Sequence, residues 1–129
     1  MTIRRYSVAA TIPVGGAGAV TAYSGVISGK IESIRYVKDA VNAYADGSTF
    51  TITADGSGES IWTETGVNAS ATRRPRAPSH NTAGVASLYA AGGTAVNDKV
   101  ALGAEKIKIV VTAGGADGKT GTFQFSIDN

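Results

Sequence analysis

The sequence predicts a single all-β domain over residues 1–129, an antiparallel β-sandwich or flattened barrel of roughly seven to nine strands. Three observations carry this expectation. Val and Ile together supply 22 residues and Thr another 14, against two Leu and one Met; β-branched side chains lose χ1 freedom in a helix and pack well on a pleated surface. Short apolar runs alternate with polar residues at period two, and Gly, Pro and Asp-Gly punctuate them. A length of 129 residues suits one domain with a modest core.

Residues 3–12 place Tyr6, Val8, Ala10 and Ile12 on one face of a first strand, which Pro13 and the glycines from 15 to 18 end. A second strand is expected at about 19–27, and Gly29 should separate it from a third near 30–38. The Ile31/Ile34 spacing in that third segment also fits a helix, but its β-branched and aromatic content favours a strand. Residues 48–54 alternate Phe50, Ile52 and Ala54 with Thr, and Asp55-Gly56 should turn them into a returning strand at 59–65, with Ile61 and Thr63 on one face and Trp62 and Glu64 on the other. Residues 105–112 and 121–127 alternate cleanly around Gly114-Gly-Ala-Asp-Gly118 and read as a final hairpin.

Residues 68–81 have no such period. Pro75 and Pro78 push Arg74 and Ala77 toward extended backbone, so an extended arm or long loop is expected over about 67–82. C-terminal to this arm, a short helical turn is expected at 85–91, stopped by Gly92-Gly93.

The chain has no Cys and one His, which excludes a disulfide framework and a thiolate metal site. His80 lacks the partners of a catalytic triad or a zinc site, and a loop hydrogen-bonding role fits it better. Asp46, Asp55, Glu59 and Glu64 lack calcium-loop spacing, and Gly15-Gly16-Ala17-Gly18 lacks the Lys-Ser/Thr pair of a phosphate loop. No metal, no cofactor and no enzymatic activity are therefore expected. No run approaches the ~18 apolar residues of a membrane-spanning helix, and the Arg4-Arg5 segment alternates too strongly for a leader peptide, so neither is expected.

The formal net charge of +2 hides a local dipole: residues 46–66 carry four acids and no Lys or Arg, while Arg73, Arg74 and Arg76 lie just beyond them. Three arginines beside two prolines do not make the broad basic face of a nucleic-acid reader. The pattern fits a solvated loop and an interface arm equally well; as an arm, its guanidiniums would pair carboxylates bidentately and its prolines would lower the entropy cost of docking.

Asn68-Ala-Ser-Ala-Thr72, Pro75 and Pro78 with Ser79-His80, Ala83-Gly84, Ser87-Leu-Tyr-Ala-Ala-Gly-Gly93, Lys106-Ile-Lys-Ile-Val-Val111, Gly114-Gly115 and Gly121-Thr-Phe123 are short stretches of one pattern. Together they resemble a family of small tailed-bacteriophage virion proteins often encoded near the major capsid protein. Ile31-Glu-Ser-Ile-Arg-Tyr36 and Phe50-Thr-Ile-Thr53 fit as well, so the likeness covers about the whole chain after residue 29 and consists of small-residue motifs. The resemblance implies a structural virion component of the capsid decoration (cement) type. Its partners would be the major capsid protein and copies of itself, as a dimer or trimer, and its place the capsid surface. Arg73, Arg74, Pro75, Arg76, Pro78 and His80 are the expected interface. A phage product made in a bacterial cytoplasm has no normal use for the Asn68-Ala69-Ser70 glycosylation sequon. Two other classes stay open: a tail or neck component of the virion, and a carbohydrate-binding module using exposed aromatics such as Trp62, Tyr6, Tyr23, Tyr36, Tyr44 and Tyr89.

Overall fold

The computed structural model describes residues 2–129. Ten strands succeed one another along the chain: β1 (Ile3–Thr11), β2 (Val20–Tyr23), β3 (Ile27–Lys38), β4 (Thr49–Ala54), β5 (Ser60–Thr65), β6 (Ala71–Arg73), β7 (Arg76–Pro78), β8 (Asn97–Glu105), β9 (Ile107–Thr112) and β10 (Thr120–Asp128). They form two antiparallel sheets. The first runs β1-β10-β3-β8-β7, with β6 added to β3 beyond the end of β8, and the second runs β2-β9-β4-β5.

Period-two alternation explains why the sheets share a core. Along β10, Gly121, Phe123, Phe125 and Ile127 are buried while the intervening residues are half-exposed. Along β9, Ile107, Ile109 and Val111 do the same from the other sheet. Phe50 of β4 sits where the sheets meet, with its ring edge-on to Phe123 at 5.1 Å, Tyr36 at 4.8 Å and Trp62 at 5.6 Å. Such pairs add to the ~1.5–3 kcal/mol that burying each large apolar side chain contributes. Tyr44 enters from the loop after β3, and its hydroxyl donates to the carbonyl of Ala10.

The strands at the expected positions differ from expectation mainly in their partners. β9 and β10 are not a hairpin: β9 pairs with β2 and β4, and β10 pairs with β1 and β3. The loop between them crosses from one sheet to the other. Ala113, Gly115 and Gly118 take positive φ there, and Gly114 donates to the carbonyl of Gly18 at 2.8 Å while its own carbonyl accepts from Ala45 at 3.0 Å. Two adjacent strands that both bury one face can satisfy that need in one sheet or in facing sheets, and alternation does not distinguish the two.

Bulges account for three further differences. Gly29 does not end a strand but lies inside β3 at φ +134°, where the pairing with β8 shifts register; β2 stops at Tyr23 and Ile27 already belongs to β3. On the β10 side of the same strand, Ile31 and Ile34 are both buried because Glu32 is an extra residue between the pairs Ile127↔Ile31 and Ser126↔Ser33. The helix-like spacing in the sequence is the mark of that bulge. In β5, Ile61 is likewise the extra residue, so Ile61 and Trp62 are both buried instead of facing opposite ways. The β4–β5 hairpin forms, but Gly56 has no positive φ; Gly58 does, at +75°, and donates to Ala54 at 2.8 Å. The turn is thus longer than a two-residue Asp-Gly turn, and the Glu105 carboxylate holds it by accepting from Ser57 at 3.0 Å.

Where an extended arm is expected, two short strands form, β6 and β7, lying along β3 and β8, while Ala69 is in a bend and Thr82 in a turn. The helical turn expected at 85–91 is absent. Residues 79–96 instead fold on themselves as a finger of bridged loops, with His80 opposite Ala86 and Leu88 opposite Ala95. Cross-links between distant residues take the backbone groups that a helix would use locally, and Gly84 and Gly92, at φ +76° and +68°, sit in its two turns.

Candidate functional site

The arginine segment and the finger follow one another along the chain between β5 and β8. Val67 is buried, and Asn68 then ties three elements together: its side-chain oxygen accepts from Gly47 at 3.0 Å, and its carbonyl accepts from Lys38 Nζ at 2.8 Å. Ser70 Oγ accepts from the Lys38 amide at 2.9 Å. These anchors lead the chain into β6.

Arg73 ends β6 and turns its guanidinium onto Glu64. Nε donates to Oε1 at 2.8 Å and Nη2 donates to Oε2 at 2.9 Å, a bidentate pair. The Trp62 indole N–H donates to the same carboxylate at 2.9 Å, and the Arg73 guanidinium lies 5.7 Å from the Trp62 ring centroid. Hydrogen bonds from Arg73 first, and from Trp62 second, pull the Glu64 carboxyl down to about 2. The acid run and the arginine run, separate in sequence, thus meet within the chain itself.

Arg76 is also held internally. Its Nη1 donates to the carbonyls of Pro75 at 2.8 Å and Glu32 at 3.2 Å, and Nη2 lies 3.7 Å from the Glu32 carboxylate. Glu32 in turn binds Lys99 at 2.6 Å, and Lys99 binds Asp128 at 3.0 Å. The Lys99 hydrogen bond keeps Glu32 below the ordinary carboxylate range, and Glu32, then Asp128, hold Lys99 above its own. The bulge at Glu32 gives this network its place, since it sets the carboxylate's backbone out of the regular pairing with β10.

The six expected interface residues do not converge on one point. Arg74 is exposed and Pro75 half-buried between β6 and β7. Pro78 pairs with Asn97, and His80 is an exposed bridge residue at the root of the finger.

Three residues outside the expected set stand out on the finger: Val85, Leu88 and Tyr89 are 59%, 44% and 76% exposed. The backbone beneath them is well tied. Ser79 donates to Val96 at 2.8 Å, Ser87 donates to Ser79 at 2.9 Å, Val96 donates to Ser87 at 2.8 Å and Tyr89 donates to Thr94 at 3.0 Å. Asn81 closes the nearer turn, its side-chain oxygen accepting from Ala83 at 2.9 Å and Val85 at 3.1 Å. The signal in the sequence is the absence of any Asp, Glu, Lys or Arg between Arg76 and Asp98. An uncharged, exposed, hydrogen-bonded finger is suited to burial against a partner, because it carries apolar side chains and no ionic group to desolvate.

Among the described residues, no group of three or more His, Cys, Asp or Glu is placed to hold a metal ion, and no helix is long and apolar enough to cross a membrane.

No protein-family model matches this chain, and no curated protein matches it. Among solved structures, the crystal structure of FLHE aligns over 100% of both chains with a TM-score of 0.46 and 10% identity. Arabinose-bound MgGH51 α-L-arabinofuranosidase aligns over 93% of this chain and 19% of its own, with a TM-score of 0.39 and 14% identity. Dimeric latent PorU from Porphyromonas gingivalis aligns over 100% of this chain and 13% of its own, with a TM-score of 0.39 and 9% identity.

Proposed function

We propose that this protein is a non-enzymatic adhesive domain of a tailed-phage virion, a decoration protein that binds the assembled major-capsid lattice and bridges neighbouring capsomers. The observation that carries the adhesive part is the finger, which exposes Val85, Leu88 and Tyr89 on an uncharged, hydrogen-bonded backbone. The capsid part rests on the resemblance of the small-residue motifs from Ile31 onward. In this reading the two sheets stack as a β-sandwich or flattened barrel that carries the finger and Arg74 toward the shell, and copies associate as a dimer or trimer on the capsid surface. Binding only to the assembled lattice stabilises that state by mass action, and many weak sites suffice when they are repeated.

The test is the copy number of this protein in purified particles, measured against the major capsid protein by quantitative mass spectrometry. A ratio near one, or a simple fraction of it, supports decoration. A small number per particle moves the protein to the tail or neck, and absence from particles refutes the virion reading.

A further inference from the structure

The outer face of the first sheet carries a second feature, unrelated to the finger. Register places Arg5, Ser126 and Ser33 side by side across β1, β10 and β3, and Ser7, Gln124, Arg35 and Thr72 side by side across β1, β10, β3 and β6. Outward side chains in adjacent rows stand next to one another on a pleated face. The short serines 33 and 126 therefore lie between two long arginines, and the result is a trough of about 380 Å³ lined by Arg5, Ser33, Arg35, Thr72, Gln124 and Ser126.

No carboxylate lines the trough. Among the described residues neither Arg5 nor Arg35 has an ion-pair partner, and the one side-chain hydrogen bond at either guanidinium is a long one, 3.4 Å from Arg35 to Thr72. The acids nearby along the same strands are engaged elsewhere, Glu32 with Lys99 and Arg76, and Asp128 with Lys99. Two guanidiniums thus flank a polar floor with their charge uncompensated.

We infer that this trough is a binding site for an extended acidic segment of a partner protein, with carboxylates two residues apart. Two strand spacings and one two-residue step separate the Arg5 and Arg35 backbones by about 12 Å. That is wide for one oxyanion. Carboxylates at alternate positions of an extended chain lie about 7 Å apart on one face, a span that two inward-leaning arginines match with one bidentate pair each. The floor points the same way. Serine, threonine and glutamine side chains both donate and accept, as a peptide backbone requires, whereas a lone phosphate would be served by donors only. The site stands on the trough alone and does not depend on the partner being a capsid.

The experiment is a titration of the full-length 15N-labelled protein with the blocked peptide (Ser-Glu)3, with (Ser-Gln)3 and with inorganic phosphate. The acidic peptide should shift the amides of Ser33, Arg35, Thr72, Gln124 and Ser126 saturably, and (Ser-Gln)3 should not. Arg5→Gln and Arg35→Gln should each weaken binding about tenfold, the loss of one charge-assisted pair. Both side chains are exposed, and unchanged amide dispersion elsewhere in the spectrum would report an intact fold. Shifts scattered over the surface lysines and indifferent to both substitutions would overturn the proposal. So would saturation of the same amides by phosphate with no response to the peptide, which would make the trough a small-anion site.

Discussion

Replacing Gly121 with alanine and Gly103 with alanine should change stability in opposite directions, although the chemistry is the same. Both glycines are in strands and neither has a positive φ, so backbone strain does not enter. A Cβ at Gly121 would lie 2.7 Å from a ring carbon of Tyr36 and 2.8 Å from one of Tyr44. Both rings are buried, Tyr36 against Phe50 and Phe123, and Tyr44 by its hydroxyl on the Ala10 carbonyl. Neither can swing away without disturbing the aromatic cluster. Overpacking of this kind costs about 1–3 kcal/mol, and the entropy removed from the unfolded chain returns roughly 0.4–1 kcal/mol. Gly121→Ala should thus destabilise by about 1.3 kcal/mol net at the middle of these ranges, and by at most about 2.6 kcal/mol. At Gly103 nothing lies within 4 Å of the added methyl, so only the unfolded-state effect operates and the change should be zero to about 1 kcal/mol stabilising. Urea unfolding followed by Trp62 fluorescence measures both, and with slopes of about 1–3 kcal/mol per molar the two midpoints should separate by roughly half a molar or more. A Gly121→Ala protein as stable as the parent would show that Tyr36 and Tyr44 are not packed against this strand as described.

Two further predictions concern the ion pair and the finger. Glu64 has its folded pKa lowered to about 2 from an unfolded value of about 4.3, so its contribution is complete above the unfolded value and is lost as pH falls toward the folded one. Because the two side chains are 36% and 39% exposed, solvent screening limits that contribution to about 1 kcal/mol. Glu64→Gln should lower the urea midpoint at pH 7 and leave it nearly unchanged at pH 2; an equal loss at both would mean that packing, not charge, is what the pair supplies. Replacing Val85, Leu88 and Tyr89 together with serine should leave the melting temperature within a few degrees of the parent, since none of them is in the core. The same variant should lose tenfold or more of its occupancy on purified particles, and undiminished occupancy would remove the finger from the proposed interface.

The arginine segment shows how far a linear reading reaches into a candidate site. Its extended backbone around Pro75 and Pro78 was legible from the prolines and the absence of a hydrophobic period; that Val67 would join the core, and that Ala71 and Ala77 would pack against it from two short strands, was not. Nor was the fate of its charges. Arg73 pairs with Glu64 across nine positions, and Arg76 with Glu32 across forty-four, and only the docking of β6 and β7 on neighbouring strands brings those groups together. Once paired, an arginine that looks available in the sequence is committed to its own chain, while Arg5 and Arg35, which were not among the expected interface residues, have no ion-pair partner among the described residues.

The sequence by itself determined that the chain forms strands, where most of them lie and which side chains they bury, because a period of two and β-branched residues act through local backbone geometry. The alternation in β4 and β10 was legible before any partner was known. Tertiary structure decided which strands pair. β9 and β10 are neighbours in the chain with seven residues between them, yet they lie in different sheets. The bulge that lets Ile31 and Ile34 both face inward exists only in register with β10. The finger takes a ladder in place of a helical turn because Ser79, Ser87 and Val96 exchange backbone hydrogen bonds across distances no short window spans. Local pattern sets which face of a segment must leave water, and the choice of what covers it is made by residues far away in the chain.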